Sequence, residues 1–190
     1  PGNGSEVSAV EGFFYPNEEV TWSLLIVLYP YITGLVAGAF VVSSFYHAFG
    51  VQALKPVARF ALITSLAFVA VAPLPLVVHL GRPERAPEIF MTPNFRSAMA
   101  GFGYILLFYE VLLLAETWLV YRPEIVKRAQ STTGLRRAFY STLTLGSTDL
   151  SEKALALDHR VIKVLALVGI PSAFLLHGYV GFLFGSIKAN

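Results

Sequence analysis

In the apolar run "LLHGYVGFLFGS", positions 175–186, an imidazole and a phenol stand two residues apart as His177 and Tyr179. Histidine changes charge near neutral pH, and a tyrosine hydroxyl donates a hydrogen bond without charging. Such a pair suits a ligand that takes up protons together with electrons. The competing explanation is the aromatic belt that marks a membrane–water boundary. A second apolar run, "YEVLLLAETW", carries Glu110 and Glu116. Charge in hydrocarbon is costly, so such groups face a partner, water or a pathway. Glu110 reads as a proton carrier or a member of a buried pair; Glu116 reads as a proton carrier or as a carboxylate snorkelling to the boundary. A six-residue separation turns about 600° around a helix and leaves the two about 120° off a common face. They do not line one stripe.

The elements that must position these groups follow from composition. The 190 residues are 55% hydrophobic and 14% charged, with mean hydropathy +0.63, whereas an ordinary soluble domain is about a quarter charged. That places the chain in a lipid membrane. A spanning helix needs about 20 mostly apolar residues, and four segments qualify, at 22–49, 57–80, 99–121 and 161–186. The expected fold is an all-α transmembrane bundle forming a single membrane domain, with residues 122–158 as a polar connection. In that connection Glu124 and Arg128 are i,i+4 partners, and Leu135, Phe139 and Leu143 recur at helical spacing. Short helices lying on the membrane surface are expected there.

There is no cysteine, so any iron–sulfur centre must sit in a partner. The net charge is +2 and the basic residues are spread along loops, which gives nucleic-acid binding no support. The chain opens on "PGNGSEV" without an initiator Met or a signal-peptide pattern and stops at "GSIKAN" directly after a span. The protein is expected to continue beyond it.

Positive charge is retained on the cytoplasmic face. Lys55, Arg59, Arg122, Lys127, Arg128, Arg136, Arg137, Lys153, Arg160 and Lys163 fall on one side of the predicted spans. The opposite side has Arg82, Arg85, Arg96 and Lys188, plus an N-terminal segment with Glu6, Glu11, Glu18 and Glu19. Both ends of the chain should therefore face outward. Tyr29, His79, Arg82, Asn94, Arg96, His177 and Tyr179 then share the outer third of the bundle. His47, His159 and Glu116 share the inner third, and Glu110 lies near mid-membrane.

Pro73 and Pro75 predict a kink near the outer end of the second span, and Pro171 a bend in the fourth. Gly34 with Gly38 and Gly181 with Gly185 form small-xxx-small pairs that suit close helix packing. The four histidines at two levels also raise a b-type haem, held by His79 with His177 or by His47 with His159. Against it, His47 and His159 sit at span ends, where a haem would be exposed. A membrane transporter or anchor without redox chemistry is the third reading.

The loop "HLGRPERAPEIFMTPNFRSAM" resembles the LGRP-x-R and TPN-x-x-S-x-M segments of the NrfD/PsrC (polysulfide reductase-like) integral membrane subunits, and "LLHGYVGFLFGSIKAN" resembles their fourth-span signature. The resemblance covers essentially the whole chain and corresponds to the N-terminal half of a family member of eight to ten spans. It implies a haem-free subunit of a respiratory oxidoreductase complex in a prokaryotic cytoplasmic (inner) membrane. Such a subunit exchanges electrons between a quinone, menaquinone or ubiquinone, and an iron–sulfur partner, often with a molybdopterin or multihaem cytochrome subunit. The partner would dock on the outer (periplasmic) face near the loop from Arg82 to Arg96. By the same resemblance Tyr179 matches a fourth-span tyrosine at the quinone site, and Tyr29 stands where some members have a histidine. The expected quinone set is Tyr29, His79, Arg82, His177 and Tyr179. Glu110, Glu116 and His47 are the expected proton relay, possible coupling to proton translocation included.

Overall fold

Four helices bury a residue every four and then three positions, and that spacing builds the fold. The computed structural model describes residues 23–79, 83–92, 94 and 98–186. In α1 (Leu24–His47) the buried series is Tyr29, Thr33, Val36, Phe40 and Ser43, with His47 at the next step. In α2 (Lys55–Val71) it is Ala58, Leu62, Ser65 and Val69. A short α3 (Leu74–His79) and one turn, α4 (Glu88–Met91), precede α5 (Ala98–Ser131), whose series is Phe102, Leu106, Tyr109, Leu113 and Glu116. After α6 (Gly134–Leu143), α7 (Glu152–Ser186) buries Ile162, Ala166, Ala173, Leu176, Val180 and Leu183, with Gly169 at the step between Ala166 and Ala173.

A repeat of 3.5 residues keeps a seam on one face of a helix and favours shallow left-handed crossings. The seams meet in a ring: α1 packs on α2 and α7, and α5 packs on α7 and α2. Aromatic side chains cross the middle of the ring edge to face, Tyr29 on Phe102 at 5.6 Å and Phe40 on Tyr109 at 5.7 Å between centroids. Outside the seams the helices stay apolar, with Phe60, Val78 and Phe174 each more than three-fifths exposed. In water such a surface would aggregate, whereas in a bilayer it is the lipid-facing side. All four helices, counting α2 with α3 as one, are long and apolar enough to cross a membrane, and no strand occurs among the described residues.

Of the expected glycine pairs only Gly34 meets a neighbouring helix, a Cβ there lying 3.8 Å from His177 Nε2, and the tightest approaches are at other glycines. A Cβ on Gly169 would overlap the Phe40 ring and press on Leu112, and one on Gly101 would lie 2.5 Å from the Tyr179 hydroxyl. A Cβ on Gly38, Gly181 or Gly185 would meet no described atom within 4 Å. Those three fall between seam positions, so their faces look away from the neighbouring helix. The predicted kink in the second span is present, as α2 ends at Val71 and α3 restarts with Val77 N–H donating to Pro73 O at 2.9 Å. Helix α7 continues through Pro171.

Within the polar connection α5 runs on to Ser131 and α7 starts at Glu152. Helix α6 turns back along the end of α5, where Trp118 Nε1–H donates to Leu143 O at 2.8 Å and the Arg128 guanidinium sits 5.9 Å from the Tyr140 ring. Gly134, at φ +64°, makes the turn between them. Glu124 does not pair with Arg128. Arg59 of α2 reaches it at 2.8 Å and stacks 4.5 Å over Tyr121, a longer-range arrangement that the i,i+4 rule could not see.

Arg122 is 2% exposed and ties the connection down. Its Nε and Nη2 donate to Asp158 Oδ2 at 2.8 and 2.5 Å, and its Nη1 donates to Ser147 Oγ and Asp149 O at 3.1 and 2.8 Å. The Ser151 amide and hydroxyl donate to Asp149 and hold its carboxyl below the usual aspartate range.

Candidate functional site

At the end of the bundle nearest α3 and α4, α1 and α7 each present a buried polar group that makes no well-formed hydrogen bond. The Tyr29 hydroxyl has no hydrogen bond among the described residues, although its residue is 1% exposed. Both ring nitrogens of His177 are buried and meet no partner in good hydrogen-bond geometry, the Ala173 carbonyl one turn back interacting with the ring, and Nε2 would lie 3.8 Å from a Cβ on Gly34. Tyr29 and Gly34 are five residues apart, about 8 Å along the α1 axis. An orphaned buried donor costs about 1–3 kcal/mol, so two of them at neighbouring levels mark a place built for something other than packing. A phenol O–H and an imidazole N–H are donors suited to the two carbonyl oxygens of a quinone.

Tyr179 is placed differently from His177. Two residues turn a helix by about 200°, so while His177 faces α1, Tyr179 faces the start of α5. Its hydroxyl donates to Ala98 O at 2.8 Å over the space left by Gly101. His79 also stands apart from His177: its Nδ1 meets Ser23 Oγ at 3.0 Å, and Ser23 and Gly34 are separated by eleven residues, about 16 Å of helix. The geometry does not bring these two histidines to one iron. Arg82 and Arg96 lie outside the described residues. Asn94 is exposed, and Arg85, also exposed, pairs loosely with Glu88 at 3.8 Å.

The opposite end has its own polar cluster, again between the seams of α1 and α5. Glu116 is fully buried and neither carboxyl oxygen has a hydrogen-bond partner among the described residues. It does not snorkel, because its seam position points it at the core. His47 Nδ1 lies 3.9 Å from Glu116 Oε1 and 3.1 Å from Ser43 Oγ. Seven residues back on the same face of α5, the Tyr109 hydroxyl is also buried and makes no well-formed hydrogen bond, with the Ser65 side chain of α2 beside it. Intramembrane charge alone does not single out Tyr109; its heptad spacing from Glu116 is the signal that does. Glu110 is half-buried and off the seam, and His159 is exposed, its Nδ1 3.0 Å from Leu155 O. Thus the two expected glutamates diverge, as their spacing predicts, and of the two His47 joins Glu116, with His159 and Arg59 also close enough to interact with His47.

Among known proteins, a family model described as polysulphide reductase, NrfD, matches residues 15–190. The chain is 34% identical over 175 residues to a selenate reductase subunit of Mesobacillus selenatarsenatis, covering 90% of this chain and 41% of that protein. It is 30% identical over 167 residues to a Halobacterium salinarum protein described as a "Putative dimethyl sulfoxide reductase membrane subunit", covering 87% of this chain and 35% of that one. The chain therefore spans about two-fifths of the length of the curated relatives it matches.

Proposed function

The chain belongs to the NrfD polysulphide reductase family, and from that premise we propose that it is the quinone-reactive part of a membrane anchor subunit in a reductase complex. The observation that carries this reading is the pair of buried polar groups that make no well-formed hydrogen bond, Tyr29 Oη and the His177 ring. A quinone bound there supplies a two-electron, two-proton couple. Tyr29 orients one carbonyl oxygen by donating to it, and His177 donates to the other and passes a proton to or from it. Tyr179 acts one step away, since its bond to Ala98 O fixes α7 against α5 and so fixes the depth of His177.

The bundle end with Arg85 faces outward by the distribution of Lys and Arg. The loop from Arg82 to Arg96 is the surface offered to an iron–sulfur partner, with a molybdopterin or multihaem subunit beyond it, in a prokaryotic cytoplasmic membrane. Glu116 and His47 exchange protons with the inner face. A 3.9 Å separation is too long for a hydrogen bond and short enough for one water or a small ring rotation to close. Glu110 lies between the two levels.

Quinone-linked electron transfer by the full complex in native membranes tests the reading. His177→Gln is expected to lower turnover about 100-fold, the usual weight of a proton-transfer group, and Tyr29→Phe about tenfold, the weight of one hydrogen bond. Parental turnover in both variants would overturn the reading.

A further inference from the structure

The hairpin of α5 and α6 borders an open cleft of about 490 Å³ lined by Arg128, Thr132, Leu135, Arg136, Phe139 and Tyr140. No carboxylate among the described residues neutralises it. Glu124 is taken by Arg59 and Asp158 by Arg122, and Lys127, Arg128, Arg136 and Arg137 form no salt bridge among the described residues. Beside these cations, Leu135 is 91% and Phe139 61% exposed. Their apolar line continues through Leu143 to the exposed Leu145, which is held at φ 49° in the turn after α6. Leu143 is tied to Trp118, so the line ends beside Trp118 and Tyr121, residue types enriched at a membrane–water boundary. Arg128 lies two turns beyond Tyr121, about 10 Å along α5. The headgroup layer is about 5–8 Å deep, and an arginine side chain spans the remainder by snorkelling back.

Cations in a cleft with an apolar ramp leading to the hydrocarbon match an amphiphilic anion better than a soluble one. We infer that this cleft holds the headgroup of an anionic phospholipid. Its phosphate sits between the Arg128 and Arg136 guanidinium groups, beside Thr132, whose hydroxyl donates to Arg128 O at 2.7 Å, and its acyl chains pass Phe139 toward Leu143 and Leu145. Basic pockets between spanning helices are a recurrent solution for such headgroups. The site is independent of the quinone reading, since it shares no residue with it.

The test uses the full-length protein, purified in its complex and delipidated in detergent, with bound lipid read by native mass spectrometry. Phosphatidylglycerol is the probe, and phosphatidylcholine and the soluble glycerophosphoglycerol are comparators. Phosphatidylglycerol should be retained over both. Arg128→Gln and Arg136→Gln should each lower its retention about fivefold and the double variant about 25-fold, from about 1 kcal/mol per basic residue. Arg137→Gln, about 100° around α6 from Arg136 and outside the cleft lining, should stay within about twofold of the parent. Arg128 also stacks on Tyr140, so Arg136→Gln, which breaks no ion pair or ring contact among the described residues, keeps the test valid if the Arg128 variant misfolds. Equal retention in Arg136→Gln and the parent, equal binding of the soluble headgroup, or equal retention of phosphatidylcholine would each overturn the inference.

Discussion

His47 Nδ1 lies 3.9 Å from Glu116 Oε1 where the seams of α1 and α5 face each other, and Glu116 occupies a position that the four-and-three repeat reserves for an apolar side chain. Every neighbouring seam residue on α5 back to Phe102 is an aromatic or a leucine. A carboxyl retained there, with both oxygens unbonded among the described residues, destabilises the bundle.

Glu116→Leu completes the seam and should raise the apparent unfolding midpoint in detergent. An unsatisfied buried polar group costs about 1–3 kcal/mol, which corresponds to a rise of about 2–12 °C for a chain of this size. Proton uptake coupled to turnover should fall about 100-fold in the same variant, and also in Glu116→Gln. A variant that is both less stable and fully active would remove Glu116 from the relay and from the strained core alike.

Tyr29 and Tyr179 should separate function from stability. Tyr179→Phe loses the bond to Ala98 O and should lower stability by about 0.5–1.5 kcal/mol. Tyr29→Phe removes a hydroxyl that has no described partner, so stability should hold or rise while turnover drops. Thermal unfolding of the two variants beside quinol-linked turnover checks this, and the reverse pattern would place the ligand at Tyr179.

Arg122→Ala leaves Asp158 nearly buried without its partner and frees the carbonyl of Asp149. Breaking such a pair costs about 3–5 kcal/mol, so the variant should accumulate poorly or unfold at markedly lower temperature. Arg122→Lys keeps the charge but not the fork that serves Asp158 and Ser147 together, and should recover part of the loss. Arg122→Met with Asp158→Leu should recover more than Arg122→Ala alone. Equal midpoints for Arg122→Ala and the parent in detergent melts would show that the connection is held by something else.

The spans, the kink after Val71 and the divergence of Glu110 from Glu116 are legible in the sequence because each depends on local spacing or on proline chemistry. The seam is present there too, as Tyr29, Thr33, Val36, Phe40 and Ser43. It is hidden because the helices are apolar all round, and lipid-facing Phe60 or Phe174 looks like core Phe40 until a neighbour is known. The opposite facing of His177 and Tyr179 follows from a two-residue step, yet which neighbour each one meets depends on the order of helices in the ring. The pairings of Arg122 with Asp158 and Arg59 with Glu124 join residues 36 and 65 apart, beyond the reach of any i,i+4 argument.

The choice of glycine at the helix contacts can be tested with one methyl group. A Cβ on Gly169 meets the Phe40 ring and Leu112, both in the core, so Gly169→Ala should lower stability by about 1–3 kcal/mol, the cost of overpacking. Phe40→Leu removes the obstructing ring edge and should recover part of that loss when combined with Gly169→Ala, although alone it leaves a small cavity. Gly38→Ala meets no described atom, and in a helix alanine is favoured over glycine by about 1 kcal/mol. It should therefore be neutral or stabilising. Midpoints of thermal unfolding for Gly169→Ala, Gly38→Ala and Gly169→Ala with Phe40→Leu decide the matter. If Gly38→Ala proves the more damaging, α1 packs through its small-xxx-small face and the seam through Phe40 is not the contact that orders the bundle.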